Sequence, residues 1–193
     1  MEKENQTMPK IEWRKATEKE KEGYFSYQTK EMTDAELAAI GPNATREALA
    51  RYKCTAVSWY RRVHNGKTIT VHSSEEYPIF VMEYEKRKTV YQPREPDKKF
   101  RYFLFDGTEY GCLKLYGINE LKKAYEEHDN ENAPEPKVMI CANMRDALNM
   151  AGLGYYTLWT PEDSVFIDIK MFGRMIEGQS GIELSEEFKK LLK

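Results

Sequence analysis

The chain has 193 residues, of which 40% are hydrophobic and 32% are charged, and its formal net charge is −2. This length suffices for one large domain or two small ones, and no apolar run approaches the roughly 18 residues that a membrane helix requires. The N-terminal residues lack the apolar stretch of a secretory signal, and the three cysteines lie far apart without a CxxC pair. We therefore expect a cytoplasmic protein without a membrane partner, a disulfide framework or a zinc site.

The two parts of the chain carry opposite charges. Residues 51–101 contain twelve Lys or Arg against six Asp or Glu, whereas residues 126–193 contain seven against thirteen. The basic part suits a polyanionic partner. An equally good interpretation is that the two parts attract each other across a domain interface.

The first 52 residues predict an arm followed by two short helices. Residues 1–30 are dense in charge and poor in apolar side chains, so we expect a flexible charged arm. Thr33 and Glu36 fit a capping box, and the helix that they begin should end at Gly41-Pro42. A second short helix should then run to Tyr52.

Strands dominate the next segment. Asn65-Gly66 is a strong hairpin signal between the apolar runs Cys54–Arg62 and Thr68–Ser73. Further predicted strands are Tyr77–Tyr84, Thr89–Gln92 and Phe100–Phe105. These short runs predict a mixed, mostly antiparallel sheet that is rich in basic residues.

The last third predicts a β-α-β unit. A helix over Ile118–His128 precedes a linker at 129–137, which contains two prolines. The predicted elements after it are the strand Val138–Cys141, a helix over Met144–Ala151, the strands Tyr155–Trp159 and Val165–Ile169, and a helix over Ser185–Leu192. A strand, a helix and a strand within so few residues imply parallel pairing.

The expected fold is therefore α/β within an α+β whole. We expect an arm at 1–30, a basic subdomain at 31–128, the linker at 129–137 and a β-α-β subdomain at 138–193.

Several motifs carry a resemblance to a known family. Asp146-Ala147-Leu148 and Gly152-Leu153-Gly154 lie between the two predicted parallel strands. This arrangement resembles the opening of a Toprim domain, the metal-dependent module in the catalytic core of bacterial and phage DNA primases. Three upstream segments resemble the basic subdomain of primases: Tyr91–Pro93, Lys99–Tyr102 and Leu115–Ile118. Two others resemble primase-helicases of mobile elements and phages: Met32–Tyr52 and Tyr77–Met82. The resemblance implies a role in DNA replication and nucleotidyl transfer with Mg²⁺.

The acidic residues of that family are missing at the positions that matter most. Ala142 stands where the family has a glutamate, and Asn143 stands where it has a glycine. Asp168 is nearest to the family's second acidic motif, but Lys170 replaces the second aspartate. Phosphoryl transfer at a carboxylate-held Mg²⁺ needs several converging oxygen ligands, and an alanine supplies none. We therefore expect a degenerate site, with Asp146 and Asp168 as the remaining catalytic candidates.

Both aspartates also have structural interpretations. Asp146 suits the first turn of its helix, where the helix dipole favours negative charge, and Asp168 suits a solvated strand position.

The basic residues are the stronger functional candidates. Cations contact phosphates and aromatic rings stack on unpaired bases, so cations interleaved with aromatic residues suit single-stranded DNA or RNA. The candidates are Arg61, Arg62, Lys67, Lys86, Arg87, Lys88, Tyr91, Arg94, Lys98, Lys99 and Arg101. The same pattern also fits charges that solvate a sheet while the aromatic rings pack the core.

These observations lead to one expectation and two alternatives. We expect a primase-related protein without independent catalysis that binds single-stranded nucleic acid or a replication protein. One alternative is an active metal-dependent primase fragment or subunit. The other is a protein-interaction module or inhibitor that mimics a primase.

Overall fold

The computed structural model describes residues 8–21, 23–84, 87–105, 116–128 and 136–159. These residues form an α+β architecture, as the sequence predicts. The strands are β1 (Lys10–Lys15), β2 (Phe25–Thr29), β3 (Cys54–His64), β4 (Lys67–His72), β5 (Phe80–Tyr84), β6 (Arg87–Tyr91), β7 (Tyr102–Phe105), β8 (Val138–Ile140) and β9 (Tyr156–Leu158). The helices are α1 (Asp34–Ile40), α2 (Arg46–Arg51), α3 (Lys98–Arg101), α4 (Ile118–His128) and α5 (Met144–Gly152).

Some expectations fall outside this description. They are the strand Val165–Ile169, the helix Ser185–Leu192 and most of the linker at 129–137. Within the described ranges, every helix is too short or too polar to cross a membrane.

The chain divides into two compact units. The first contains the described residues among 1–42 and 49–109, and the second contains those among 43–48 and 110–193. Helix α4 thus belongs to the same unit as the β8-α5-β9 segment.

The first unit is built on an antiparallel sheet with the strand order β1-β4-β3-β5-β6-β7, and β2 also pairs with β3. Tyr60 on β3 and Phe103 on β7 are separated by two strands in this order. Their ring centroids are nevertheless 5.4 Å apart. The sheet therefore curls, and we call the concave side that holds these two rings the inner face.

The inner face carries the hydrophobic core of the first unit. Its buried members are Val57, Tyr60, Val71, Tyr77, Ile79, Val81 and Val90, and the half-buried side chains of Phe25, Tyr27, Ile69 and Phe103 pack against them. Because side chains alternate along a strand, the residues between the inner-facing ones point to the opposite side. We call that side the outer face, and it holds Trp59, Arg61 and Thr70.

The hairpin signal in the sequence is confirmed. Asn65 and Gly66 connect β3 to β4 and both have positive φ angles, of 51° and 67°. A two-residue turn with this geometry matches the twist of the strands that it joins, and Asn-Gly adopts it readily.

The expected arm at 1–30 instead contributes two strands. Strand β1 pairs with β4, where Trp13 lies opposite Ile69, and β2 pairs with β3, where Tyr27 lies opposite Tyr60. Composition within the first 30 residues does not identify these partners, because the paired residues lie between 28 positions (Thr29 to Val57) and 62 positions (Lys10 to His72) further along the chain.

The segment after β1 is fixed by one carboxylate. Glu20 accepts two hydrogen bonds from the guanidinium of Arg14, at 2.7 and 2.6 Å, and others from Thr17 and from the hydroxyl of Thr68. These donors, Arg14 first, hold the pKa of Glu20 well below its ordinary value. The contacts bind residues 16–20 to the outer face of β4 and cover Thr68.

The second unit contains the predicted β-α-β arrangement. Strands β8 and β9 pair in parallel, with Val138 opposite Tyr156, and α5 connects them. Trp159, one residue beyond β9, forms an antiparallel bridge with Tyr116, and their rings stack with centroids 5.6 Å apart. This bridge ties the start of α4 to the end of β9.

Candidate nucleic-acid interface

The outer face holds a fixed pair formed by Trp59 and Arg61. The indole N–H of Trp59 donates to Gln28 Oε1 at 2.7 Å, and Arg61 Nε donates to Thr70 Oγ1 at 3.0 Å. The guanidinium carbon of Arg61 lies 4.9 Å from the Trp59 ring centroid. Both side chains are half-buried. The arrangement presents an oriented cation beside an aromatic ring, which suits a phosphate next to an unpaired base.

A second pair lies at the β1 edge of the sheet, on the inner face. Lys67 Nζ is 4.9 Å from the ring centroid of Trp13. The Trp13 side chain is 69% exposed and Lys67 is also exposed. An exposed aromatic ring can stack on a planar group of a ligand, so the Trp13 ring is available for stacking.

Two further predicted cations lie against aromatic rings inside the curl. The guanidinium carbon of Arg62 is 5.4 Å from the Phe103 ring centroid, and Lys88 Nζ is 5.0 Å from that of Tyr27. Lys88 also pairs with Glu83 at 3.2 Å, and Tyr27 donates to the same carboxylate. Burial and this bond raise the pKa of Tyr27 to about 12, and the bond from Tyr27, followed by Lys88, lowers the pKa of Glu83. Lys88 is therefore partly neutralised.

Arg101 and Tyr91 are occupied by contacts within the protein. Arg101 donates from Nε and Nη2 to the backbone carbonyl of Glu95, at 3.2 and 2.9 Å. The Tyr91 ring is 0% exposed and stacks on Tyr102 with centroids 4.8 Å apart. Neither side chain presents the exposed group that a nucleic-acid contact requires in this conformation.

The other predicted cations are distributed along β6 and the segment after it. Arg87 is half-buried on the outer face opposite Tyr84, and Arg94 and Lys98 are exposed. Lys99 lies within α3, and its side chain is outside the described part of the structure. Lys86 lies outside the described residues.

The position expected for metal-dependent chemistry lies at the start of α5. Asn143 caps this helix by accepting from Asp146 N at 2.9 Å, and its amide donates to Asp146 Oδ2 at 3.0 Å. Asp146 is thus engaged at a helix N-terminus, where its charge is stabilising. Ala142 is exposed at the end of β8 and offers no oxygen ligand, and Asp168 lies outside the described residues.

The thiol that precedes Ala142 is not activated. Cys141 is buried, and burial together with the charge of Asp146 raises its pKa to about 11. Across the portions of the chain that the structure describes, no three His, Cys, Asp or Glu side chains cluster as metal ligands would.

Three residues that lie beside the predicted cations were not among the sequence candidates: Trp13 and Lys15, next to Lys67 on the inner face, and Trp59, next to Arg61 on the outer face. Trp13 and Lys15 fell within the expected arm. A signal was present, since Ile11 and Trp13 alternate with Lys10, Glu12 and Arg14 in the two-residue period of a half-buried strand.

Comparison with known proteins adds no relative. No protein family, curated protein or solved structure matches this chain.

Proposed function

We propose that the first unit binds single-stranded nucleic acid through cations that lie beside aromatic rings. The observation that carries this proposal is that predicted cations lie beside aromatic rings on both faces of the sheet. Arg61 lies beside Trp59, and Lys67 lies beside the exposed ring of Trp13. Base stacking on aromatic side chains and phosphate contact by cations are together the usual means of binding single strands without sequence preference.

Local charge supports the same proposal. The overall charge of −2 does not favour a polyanion, but the excess of basic residues between 51 and 101 falls within the first unit. The exposed cations Arg94 and Lys98 are part of this excess. A strand of phosphates is the class of ligand that such a distribution attracts most strongly.

We further propose that the chain is a primase-related protein that does not synthesise oligonucleotides by itself. Ala142 replaces the glutamate that the resemblance calls for, and the carboxylate of Asp146 is engaged by Asn143. A site without converging oxygen ligands holds Mg²⁺ poorly. The expected role is therefore binding in a replication context rather than nucleotidyl transfer.

The test is binding of a labelled single-stranded oligonucleotide to the full chain over a series of salt concentrations, with and without Mg²⁺. Micromolar or tighter binding that weakens steeply with salt and ignores Mg²⁺ is the expected result, with a slope of about −0.7 per phosphate contacted. Absence of binding at low salt would overturn the proposal and favour a protein-interaction module. Templated synthesis with Mg²⁺ or Mn²⁺ would instead establish an active primase.

A further inference from the structure

The inner face at the β1 edge combines an exposed aromatic ring with two lysines from different strands. Lys15 and Lys67 are register partners at the end of the β1–β4 pair, and Trp13 lies two residues before Lys15 on the same face. Lys67 Nζ is already over the Trp13 ring. The two lysines and the ring therefore share one small area of surface.

The two lysines repel each other when no ligand is bound. Like charges on directly opposed residues of an antiparallel pair destabilise it. Among the described residues, neither lysine has a carboxylate within salt-bridge distance. An anion that contacts both ammonium groups would remove the repulsion and gain two charge-assisted contacts.

The apolar surroundings extend the same site along β1. Ile11 is 54% exposed and lies two residues before Trp13, so both side chains project from the same face of the strand. A planar group that stacks on the Trp13 ring would also cover part of this strip. The ligand that fits is one with a planar aromatic part joined to an anion at short distance.

We propose that Trp13, Lys15 and Lys67 form a subsite for one nucleotide of a single strand, with its base stacked on Trp13 and a backbone phosphate contacting the two lysines. This inference rests on the proposed function and assigns it a location and a mode of contact. The proposed subsite includes Lys15, which was not among the nucleic-acid-binding residues predicted from the sequence. It also assigns the selectivity for unpaired bases to Trp13.

The test separates base from phosphate. Binding is compared for two probes of equal length, about 16 nucleotides. One is an oligothymidylate, and the other is an abasic deoxyribose-phosphate chain that retains the phosphates but lacks the bases. Trp13→Ala should weaken binding of the oligothymidylate roughly 5- to 150-fold and leave binding of the abasic chain unchanged. Trp13→Phe, which retains a ring, should recover most of the loss.

The lysines should behave differently. Lys15→Gln and Lys67→Gln should each weaken binding of both probes and reduce the slope of log affinity against log salt by about 0.7. All of these side chains are exposed, so thermal denaturation should show that every variant is folded, and the two lysine variants, which lose the like-charge pair, should be at least as stable as the wild type.

The possible failures are distinguishable. If the wild type binds neither probe at low salt, the proposed function is wrong and the subsite falls with it. If the wild type binds the oligothymidylate and Trp13→Ala binds it equally well, or loses both probes to the same degree, the subsite is wrong while the proposed function stands.

Discussion

The α-carbon of Gly117 lies so close to Thr157 that an added Cβ would be 2.0 Å from the Thr157 carbonyl oxygen. Gly117 also has a φ angle of +86°, which side-chain-bearing residues rarely adopt. This contact is where the start of α4 meets β9, next to the Tyr116–Trp159 bridge. The fit of the second unit thus depends on the absence of a single carbon atom.

Gly117→Ala should lower the free energy of unfolding of the second unit by about 3 kcal/mol or more, because left-handed strain adds to a clash with backbone. Chemical denaturation measures this when it is followed by tryptophan emission in a Trp13→Phe, Trp59→Phe background, where Trp159 is the remaining tryptophan. Gly154→Ala is the matched control, since Gly154 has a φ of +92° but open space around it. It should cost only the strain, about 1–2 kcal/mol. Equal losses in the two variants would contradict the close approach.

Gly152→Ala should also destabilise, although alanine normally stabilises a helix relative to glycine by about 1 kcal/mol. The added Cβ would lie 1.6 Å from the carbonyl oxygen of Asn43, so residues 43–48 would have to move. We expect a net loss of about 1–3 kcal/mol in denaturant unfolding.

Asn149→Ala tests the same contact between α5 and residues 43–48 in a second way. Asn149 Oδ1 accepts a hydrogen bond from Asn43 N at 3.1 Å, and the substitution removes it. This change alone should cost about 1 kcal/mol. The double variant with Gly152→Ala should lose less than the sum, since both changes release the same segment. Stabilisation by Gly152→Ala would show that residues 43–48 do not pack against α5.

Glu20 should contribute a pH-dependent part of the stability. Its carboxyl has a pKa lowered from an ordinary value of 4.5, mainly by Arg14. The stabilisation from its ionised form is therefore complete above about pH 4.5 and is lost as the pH falls through the lowered value. Glu20→Gln should thus be less stable than the wild type at about pH 7, with a difference that shrinks at about pH 3. A difference independent of pH, measured by urea denaturation, would contradict this role.

Asp146→Asn should change stability rather than metal dependence. The carboxylate stabilises the first turn of α5, so we expect a loss of about 0.3–1 kcal/mol in thermal or denaturant unfolding. Oligonucleotide binding should be the same with and without Mg²⁺ in both proteins. Loss of a Mg²⁺-dependent activity in this variant would instead make Asp146 part of a working metal site.

Arg61→Gln should reduce the affinity for single-stranded oligonucleotide. It should also reduce the slope of log affinity against log salt by about 0.7, the value for one phosphate contact. Arg61 is already oriented by Thr70 and Trp59, so the contact that it makes requires little further ordering. Lys123→Gln, at an exposed position on α4 in the other unit, removes the same charge. If both variants change the salt slope equally, Arg61 acts only through net charge.

Local signals in the sequence predicted much of the fold. Thr33 and Glu36 form the expected capping box, with both reciprocal hydrogen bonds present. Asn65-Gly66 makes the expected turn, and α4 spans the predicted Ile118–His128. In each case the determining residues lie within a few positions of one another, so short-range preferences suffice.

Features that depend on distant residues were not predictable in this way. Strand β1 is completed by its pairing with β4, and the alternating pattern of residues 10–15 indicates a strand without identifying that partner. The sequence also did not predict which face of the sheet a given side chain occupies. Tyr91 shares the alternating pattern of its neighbours, but its register with Phe80 and Tyr102 places its ring in a buried stack. The same limit applies to Phe100 and Arg101, which were predicted as strand and form a helical turn.

The order of strands also affects how the molecule avoids aggregation. Strand β1 ends the sheet, and among the described strands it pairs with β4 alone. Such an edge, with two exposed apolar side chains on it, is the usual template for adding a strand from another molecule. Four of its six residues, Lys10, Glu12, Arg14 and Lys15, are charged. Any foreign strand that docked there would have to strip water from this row of charges, so the surface proposed for ligand binding can remain open without becoming a site of polymerisation.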